Sequence, residues 1–191
     1  MKKLFFPILA SLCISCNSDY LPKPKAYLRL DYPNPKYKRV HPILPFSFEK
    51  NEFSKDISTI KVDKSQKTYG IDINYPSMKG TIYLTYKAVN DTNLNALLRD
   101  AQNITQKHVI KADEIIEQPY INEEKNVFGM FYEVSGDAAS QSQFYVTDSI
   151  NHFLTGSLYF YAKPNYDSIY PAAEYLKNDI KHIMETLEWR K

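Results

Sequence analysis

The sequence predicts an α+β fold: a mainly antiparallel sheet of about six or seven strands covered by two amphipathic helices, preceded by an extended Pro/Tyr-rich arm. Three observations lead there. Short runs alternate apolar and polar residues between turn signals, as half-buried strands do. In two stretches the apolar residues recur instead at three- and four-residue steps, the period of a helix with one buried face. Ahead of both lies a zone dense in proline, which forbids helix and favours extended chain.

The elements follow in order. Phe46-Ser47-Phe48-Glu49 alternates and reads as a first strand, with Ile57 to Val62 a weaker second. Ile71 to Tyr75 alternates and is stopped by Pro76; after the Ser77–Gly80 turn, Thr81 to Tyr86 is rich in β-formers, so the two runs should form a hairpin. Leu94, Leu97, Leu98, Ala101, Ile104 and His108 then mark a helix over roughly 93–109, behind the candidate caps Asp91, Thr92 and Asn93. Four extended runs follow: Glu114 to Ile121, Val127 to Ser135, Gln141 to Asp148, and Phe153 to Tyr161. The chain closes on a second helix with Ile169, Ala172, Leu176, Ile180, Ile183 and Leu187 on one stripe, and Pro171 placed in its first turn, where no intrahelical donor is lost.

The start of the chain bears on location. Met1-Lys2-Lys3 is a positive n-region, and the apolar run Leu4 to Leu12 is about half the ~20 residues a spanning helix needs. The run ends in Cys13-Ile14-Ser15-Cys16, which resembles a bacterial lipobox, with Cys13 where such boxes usually carry leucine. The resemblance implies cleavage between Ser15 and Cys16 and acylation of Cys16, palmitate being the expected chain. An ordinary secretory signal with an incidental cysteine is the plainer alternative. Several acyl chains, at ~0.8 kcal/mol per CH2, hold a protein to a membrane where one chain does not. The expected organisation is a lipoprotein signal peptide over 1–15, a lipidated N-terminus and arm over 16–45, and a single α+β domain over 46–191.

Composition removes function classes. Of 24 basic residues, Lys2 and Lys3 lie in the signal, leaving 22 against 22 acidic ones, a formal balance of zero with no basic surplus for nucleic acid. Once Cys13 is cleaved away and Cys16 acylated, no thiol remains for catalysis or metal binding. The histidines His41, His108, His152 and His182 have no helical ligand spacing, and no metal is expected on them. With 5 glycines there is no phosphate-binding loop, no G-x-S-x-G elbow exists, and no cofactor is expected. Asp148, Ser149 and His152 contain the letters of a triad, but only convergence in space would make them one. A non-enzyme is the reading that remains.

Contact surfaces are better represented. Residues 17–45 hold 6 of the 11 prolines and no glycine, unlike a plain Ser/Gly tether. Within them, Tyr27-Leu28-Arg29-Leu30-Asp31-Tyr32 alternates like a strand. It can lie as a strap across its own domain, which carries no association cost and is favoured, or add as a strand to a partner, presenting Tyr27, Arg29, Asp31 and Tyr32. Two polar stretches in the domain are further candidates for an interaction surface: Ser140, Gln141 and Gln143, and Lys163, Asn165 and Asp167 before the last helix. The latter can equally be helix caps and turn formers.

Five stretches, read together, resemble the gliding-motility lipoprotein GldD family of Bacteroidetes. They are Leu21-Pro22-Lys23-Pro24-Lys25-Ala26-Tyr27-Leu28-Arg29-Leu30-Asp31-Tyr32-Pro33, Pro45-Phe46-Ser47-Phe48, Gly80-Thr81-Ile82-Tyr83-Leu84-Thr85-Tyr86, Ala138-Ala139-Ser140-Gln141-Ser142-Gln143-Phe144, and Phe160 to Trp189. The resemblance implies an envelope lipoprotein required for gliding motility and the associated type IX secretion machinery. It would be anchored to the membrane through Cys16, with other proteins of that machinery as partners, and it brings no catalytic residues. Surface export of such lipoproteins tends to follow a dense acidic run after the cysteine. Asn17-Ser18-Asp19-Tyr20 has a single acid, which favours an outer-membrane anchor facing the periplasm. The alternative to a scaffold is a periplasmic ligand-binding module holding a lipid, glycan or peptide against an aromatic sheet face.

Overall fold

In the computed structural model, the described residues are 30–57, 60–63, 68–107, 111–162 and 165–190. Among the described residues, ten strands run in chain order as β1 (Tyr37–Val40), β2 (Phe46–Asn51), β3 (Ile60–Asp63), β4 (Thr68–Tyr75), β5 (Gly80–Ala88), β6 (Ala112–Asn122), β7 (Val127–Gly136), β8 (Ser140–Thr147), β9 (His152–Phe160) and β10 (Glu188–Trp189). Helix α1 (Leu94–Gln106) stands between β5 and β6, and α2 (Tyr166–Glu185) between β9 and β10. The fold is α+β. Seven strands form one sheet in the order β3-β4-β5-β9-β8-β7-β6, and β1-β2-β10 form a second. Every pairing is antiparallel.

The path explains the order. The β4–β5 hairpin pairs Tyr75 with Gly80 around a 3-10 turn at Pro76–Met78, as Pro76 dictates. From β5 the chain crosses by α1 to the far edge, where β6 tolerates Pro119 because an edge strand can lose a ladder donor. It then returns strand by strand to pair β9 with β5. Alternation divides the large sheet into two faces. One carries Ile73, Ile82, Leu84, Phe131, Phe144, Leu154 and Leu158 beneath Leu176, Ile180 and Ile183 of α2 and Phe46 and Phe48 of β2. Each such side chain contributes roughly 1.5–3 kcal/mol when fully buried. The other face carries Tyr132, Tyr145 and Phe153 beneath Leu97 and Ala101 of α1. The helices therefore cover opposite faces.

Three local readings change. The span read as arm contributes β1, which pairs along β2 from Tyr37↔Asn51 to Val40↔Phe48, so the folded body extends upstream of Phe46. Asn93 stands at the start of α1 without a side-chain cap bond; the Asn90 side-chain carbonyl instead accepts the Thr92 and Asn93 N–H groups at 3.0 Å each. Pro171 lies in the second turn of α2, where it removes the N–H that would bond the Asp167 carbonyl, a cost the buried stripe offsets. His108 lies outside the described residues.

Candidate interaction surface

The β1/β2 register brings Tyr37 opposite Asn51 and Arg39 opposite Glu49. Tyr37, Asn51 and Glu49 meet Tyr175, Asp179 and His182, which recur on α2 at helical spacing. Tyr32 packs on Tyr175 with ring centroids 5.2 Å apart, and the Tyr175 hydroxyl donates to the Pro33 carbonyl at 2.9 Å. The Tyr37 ring stacks on His182 at 3.6 Å, and its hydroxyl donates to Asp179 Oδ1 at 2.8 Å. Asn51 Nδ2 donates to the two Asp179 oxygens at 3.2 and 3.0 Å and to the Tyr175 hydroxyl at 3.0 Å. His182 Nε2 lies 2.9 Å from Glu49 Oε2, and Arg39 bridges Glu49 at 3.4 Å and Glu188 at 3.1 Å.

Asp179 is the centre of this clamp and is 1 % exposed. Burial pushes its carboxyl above the ordinary carboxylate value, with the hydrogen bonds from Tyr37 and Asn51 opposing that rise. Glu49 shifts the other way: the hydrogen bond from His182, with Arg39 adding to it, holds its carboxyl below the usual range. Burial raises the Tyr37 phenol, and its bond to Asp179 raises it further. The chemistry is attachment of the incoming chain to the body.

Of the arm residues singled out in the sequence, Tyr32 is half-buried in the clamp and Asp31 is exposed, whereas Tyr27, Arg29, Ser15 and Cys16 lie outside the described residues. The segment from Tyr32 to Val40 lies across its own domain. Sequence reasoning did not single out Tyr37, Asn51, Asp179 or His182 as site residues. The available signal was Asp179, an acid between Leu176 and Ile180 on an otherwise apolar stripe.

Ser140, Gln141 and Gln143 are placed inside the protein, at 0, 4 and 3 % exposure, and not on an exposed loop. They belong to β8, every residue of which is buried because α2 covers one face and α1 the other. Gln141 Nε2 donates to the Ala138 carbonyl at 2.7 Å, and Thr105 of α1 donates to Gln143 Oε1 at 3.1 Å. The Ser140 hydroxyl donates to the Ser142 carbonyl at 3.3 Å. Their polarity is internal.

Asn165 and Asp167 are exposed at the start of α2, and Lys163 lies outside the described residues. Asn165 Oδ1 accepts the Ser168 N–H at 3.3 Å, and Asp137 Oδ1 accepts the Tyr166 N–H at 2.8 Å. Asp167 sits in the first turn, where a negative charge meets the helix dipole favourably. A groove of about 450 Å³ runs beside them, bordered by Lys111, Asp113 and Asp137.

Asp148, Ser149 and His152 do not form a triad. Asp148 Oδ1 accepts the N–H groups of Ile150, Asn151 and His152 at 3.0, 2.8 and 2.8 Å. Burial alone would raise its carboxyl, but these donors outweigh it and hold it below the ordinary value. His152 Nδ1 lies 2.9 Å from the Tyr86 hydroxyl, and its ring stacks on Trp189 with centroids 5.0 Å apart. All three residues shape and pack the β8–β9 turn.

The family model for gliding motility lipoprotein GldD matches residues 17–189. No curated protein and no solved structure matches the chain. The chain belongs to the gliding motility lipoprotein GldD family, and its place is the cell envelope.

Proposed function

We propose that this member of the gliding motility lipoprotein family is a non-enzymatic assembly or scaffold component, and that it also serves the associated type IX secretion machinery. Acyl chains on Cys16 hold it in the outer membrane facing the periplasm, and residues upstream of Leu30, Tyr27 and Arg29 among them, engage other proteins of the machine. The clamp is the observation that supports this reading. Tyr32 and Tyr37 fasten the chain to α2, so a load on the arm reaches the folded body through Tyr175 and Asp179. A loosely attached tether would not need a buried acid to receive it.

Crosslinking with mass spectrometry in intact cells tests it. The expected result is crosslinks from residues 20–29 to other envelope proteins, lost when those residues are replaced by a Gly/Ser segment of equal length. Unchanged partner recovery after that replacement removes the arm from the account. A Cys16→Ser chain should take up no radiolabelled palmitate and should leave the membrane fraction. Retention there with an unlabelled parent would remove the lipid.

A further inference from the structure

Strands β1 and β2 place two lysines directly opposite each other, Lys38 and Lys50. Like charges in that relation destabilise a sheet, and burying one of them costs more. Lys50 is 4 % exposed. Its ammonium donates to the Ser54 hydroxyl at 3.1 Å and to the Ser54 and Lys55 carbonyls at 3.5 and 3.4 Å, all neutral acceptors. Among the described residues the carboxylate within ion-pair distance is Asp56 at 3.6 Å, and its side chain is fully exposed and screened by water. The Lys50 donors are therefore engaged within the protein, and with one carboxylate beside two ammonium groups the strand pair keeps a net positive charge that Lys38 carries to the surface.

Both lysines line an open groove of about 920 Å³, together with Asp56, His41 and the apolar Val40, Ile57, Val62 and Tyr69. Its rim exposes Ile43 and Val62, 95 and 50 % accessible. Arg190 donates to the carbonyls of Pro42 and Leu44 and so fixes the β1–β2 loop that forms one wall. The volume falls within the roughly 300–1,000 Å³ of small-molecule sites. A small inorganic anion would leave the apolar wall unused, and an apolar peptide would leave the net positive charge at Lys38 unmatched. We propose that the groove binds a single-chain lipid with an anionic head, the head on the exposed Lys38 and the chain along Val40, Ile57, Val62 and Tyr69.

A diazirine-bearing palmitate, added to membranes containing the full chain and photolysed, tests this. Its label should map by mass spectrometry to peptides spanning Lys38–Leu44 and Ile57–Tyr69. Removing one charge-assisted contact in Lys38→Gln should cut labelling about tenfold, and the matching neutral diazirine alcohol should label about tenfold less than the acid. Val62→Asp, at an exposed position that leaves the core intact, should also abolish the label. Equal labelling by acid and alcohol, label outside the groove, or undiminished label in Lys38→Gln overturns the proposal. So does an unlabelled groove whose residues crosslink to a protein neighbour, which would assign it to a protein occupant. These outcomes are independent of whether the arm recruits partners.

Discussion

Asp179 shows what one buried group can do for attachment and for pH response. Its folded carboxyl is raised above the ordinary 3.8 by burial, so the folded state holds that proton more firmly than the unfolded chain. Its contribution to stability is therefore fully present below the unfolded value and is lost as pH rises through the raised one. Glu49 has the opposite sign: its lowered carboxyl contributes above the ordinary 4.5 and loses that contribution as pH falls through the lowered value. Asp179→Asn should lie within about 1 kcal/mol of the parent at pH 7. The parent should then gain on the variant as pH falls from 7 to 4. Asp179→Leu strands the Tyr37 hydroxyl and the Asn51 amide and should cost about 1–3 kcal/mol for each. Urea titrations across that pH range check all three statements, and a flat parent-to-Asn difference would contradict the electrostatic account. None of this was legible from Asp179 alone, because the partners Tyr37 and Asn51 lie 142 and 128 residues away in the chain.

At the scale of elements, the strands announced themselves where side chains alternate and a breaker ends the run. Ile71 to Tyr75 with Pro76, and Thr81 to Tyr86, became the β4–β5 hairpin. The four residues of β1 were hidden between Pro35 and Pro42, because local proline density carries no information about the β2 edge waiting to pair with them. Strand β8 misled for a related reason. Ser140, Gln141 and Gln143 look like surface, and only the two helix layers over that strand decide otherwise. The same layering constrains Gly156 of β9, directly opposite Phe144. A Cβ there would stand 2.1 Å from the Phe144 ring, and that ring is buried under α2. Gly156→Ala should destabilise by about 1–3 kcal/mol through overpacking. Adding Phe144→Leu should recover part of the loss, giving a favourable coupling in a double-mutant cycle. Additive effects would mean that the ring does not occupy the space above Gly156.

For the whole molecule, the two faces of the large sheet are unequally defended, and stability should follow that inequality. Helix α2 rests on β2, β5, β7, β8 and β9 and buries Leu176, Ile180, Ile183 and Met184 in the larger core. Helix α1 buries Leu97, Ala101 and Thr105, lacks a side-chain cap bond and has no acid in its first turn. Its cluster adds Tyr132, Tyr145 and Phe153 from the sheet. Opening α1 therefore exposes little apolar surface and leaves the clamp on α2 intact, so it should occur well below the global unfolding free energy. Native-state hydrogen exchange should find the amides of Leu97 to Gln106 exchanging at least about tenfold faster than those of Leu176 to Ile183, a gap of about 1.4 kcal/mol or more. Global destabilisation by Gly156→Ala should speed the α2 amides while leaving the α1 amides nearly unchanged, because the latter already exchange by local opening. If both helices speed up together, the molecule opens as one unit. The face bearing α1 would then be as firmly held as the face that receives the arm.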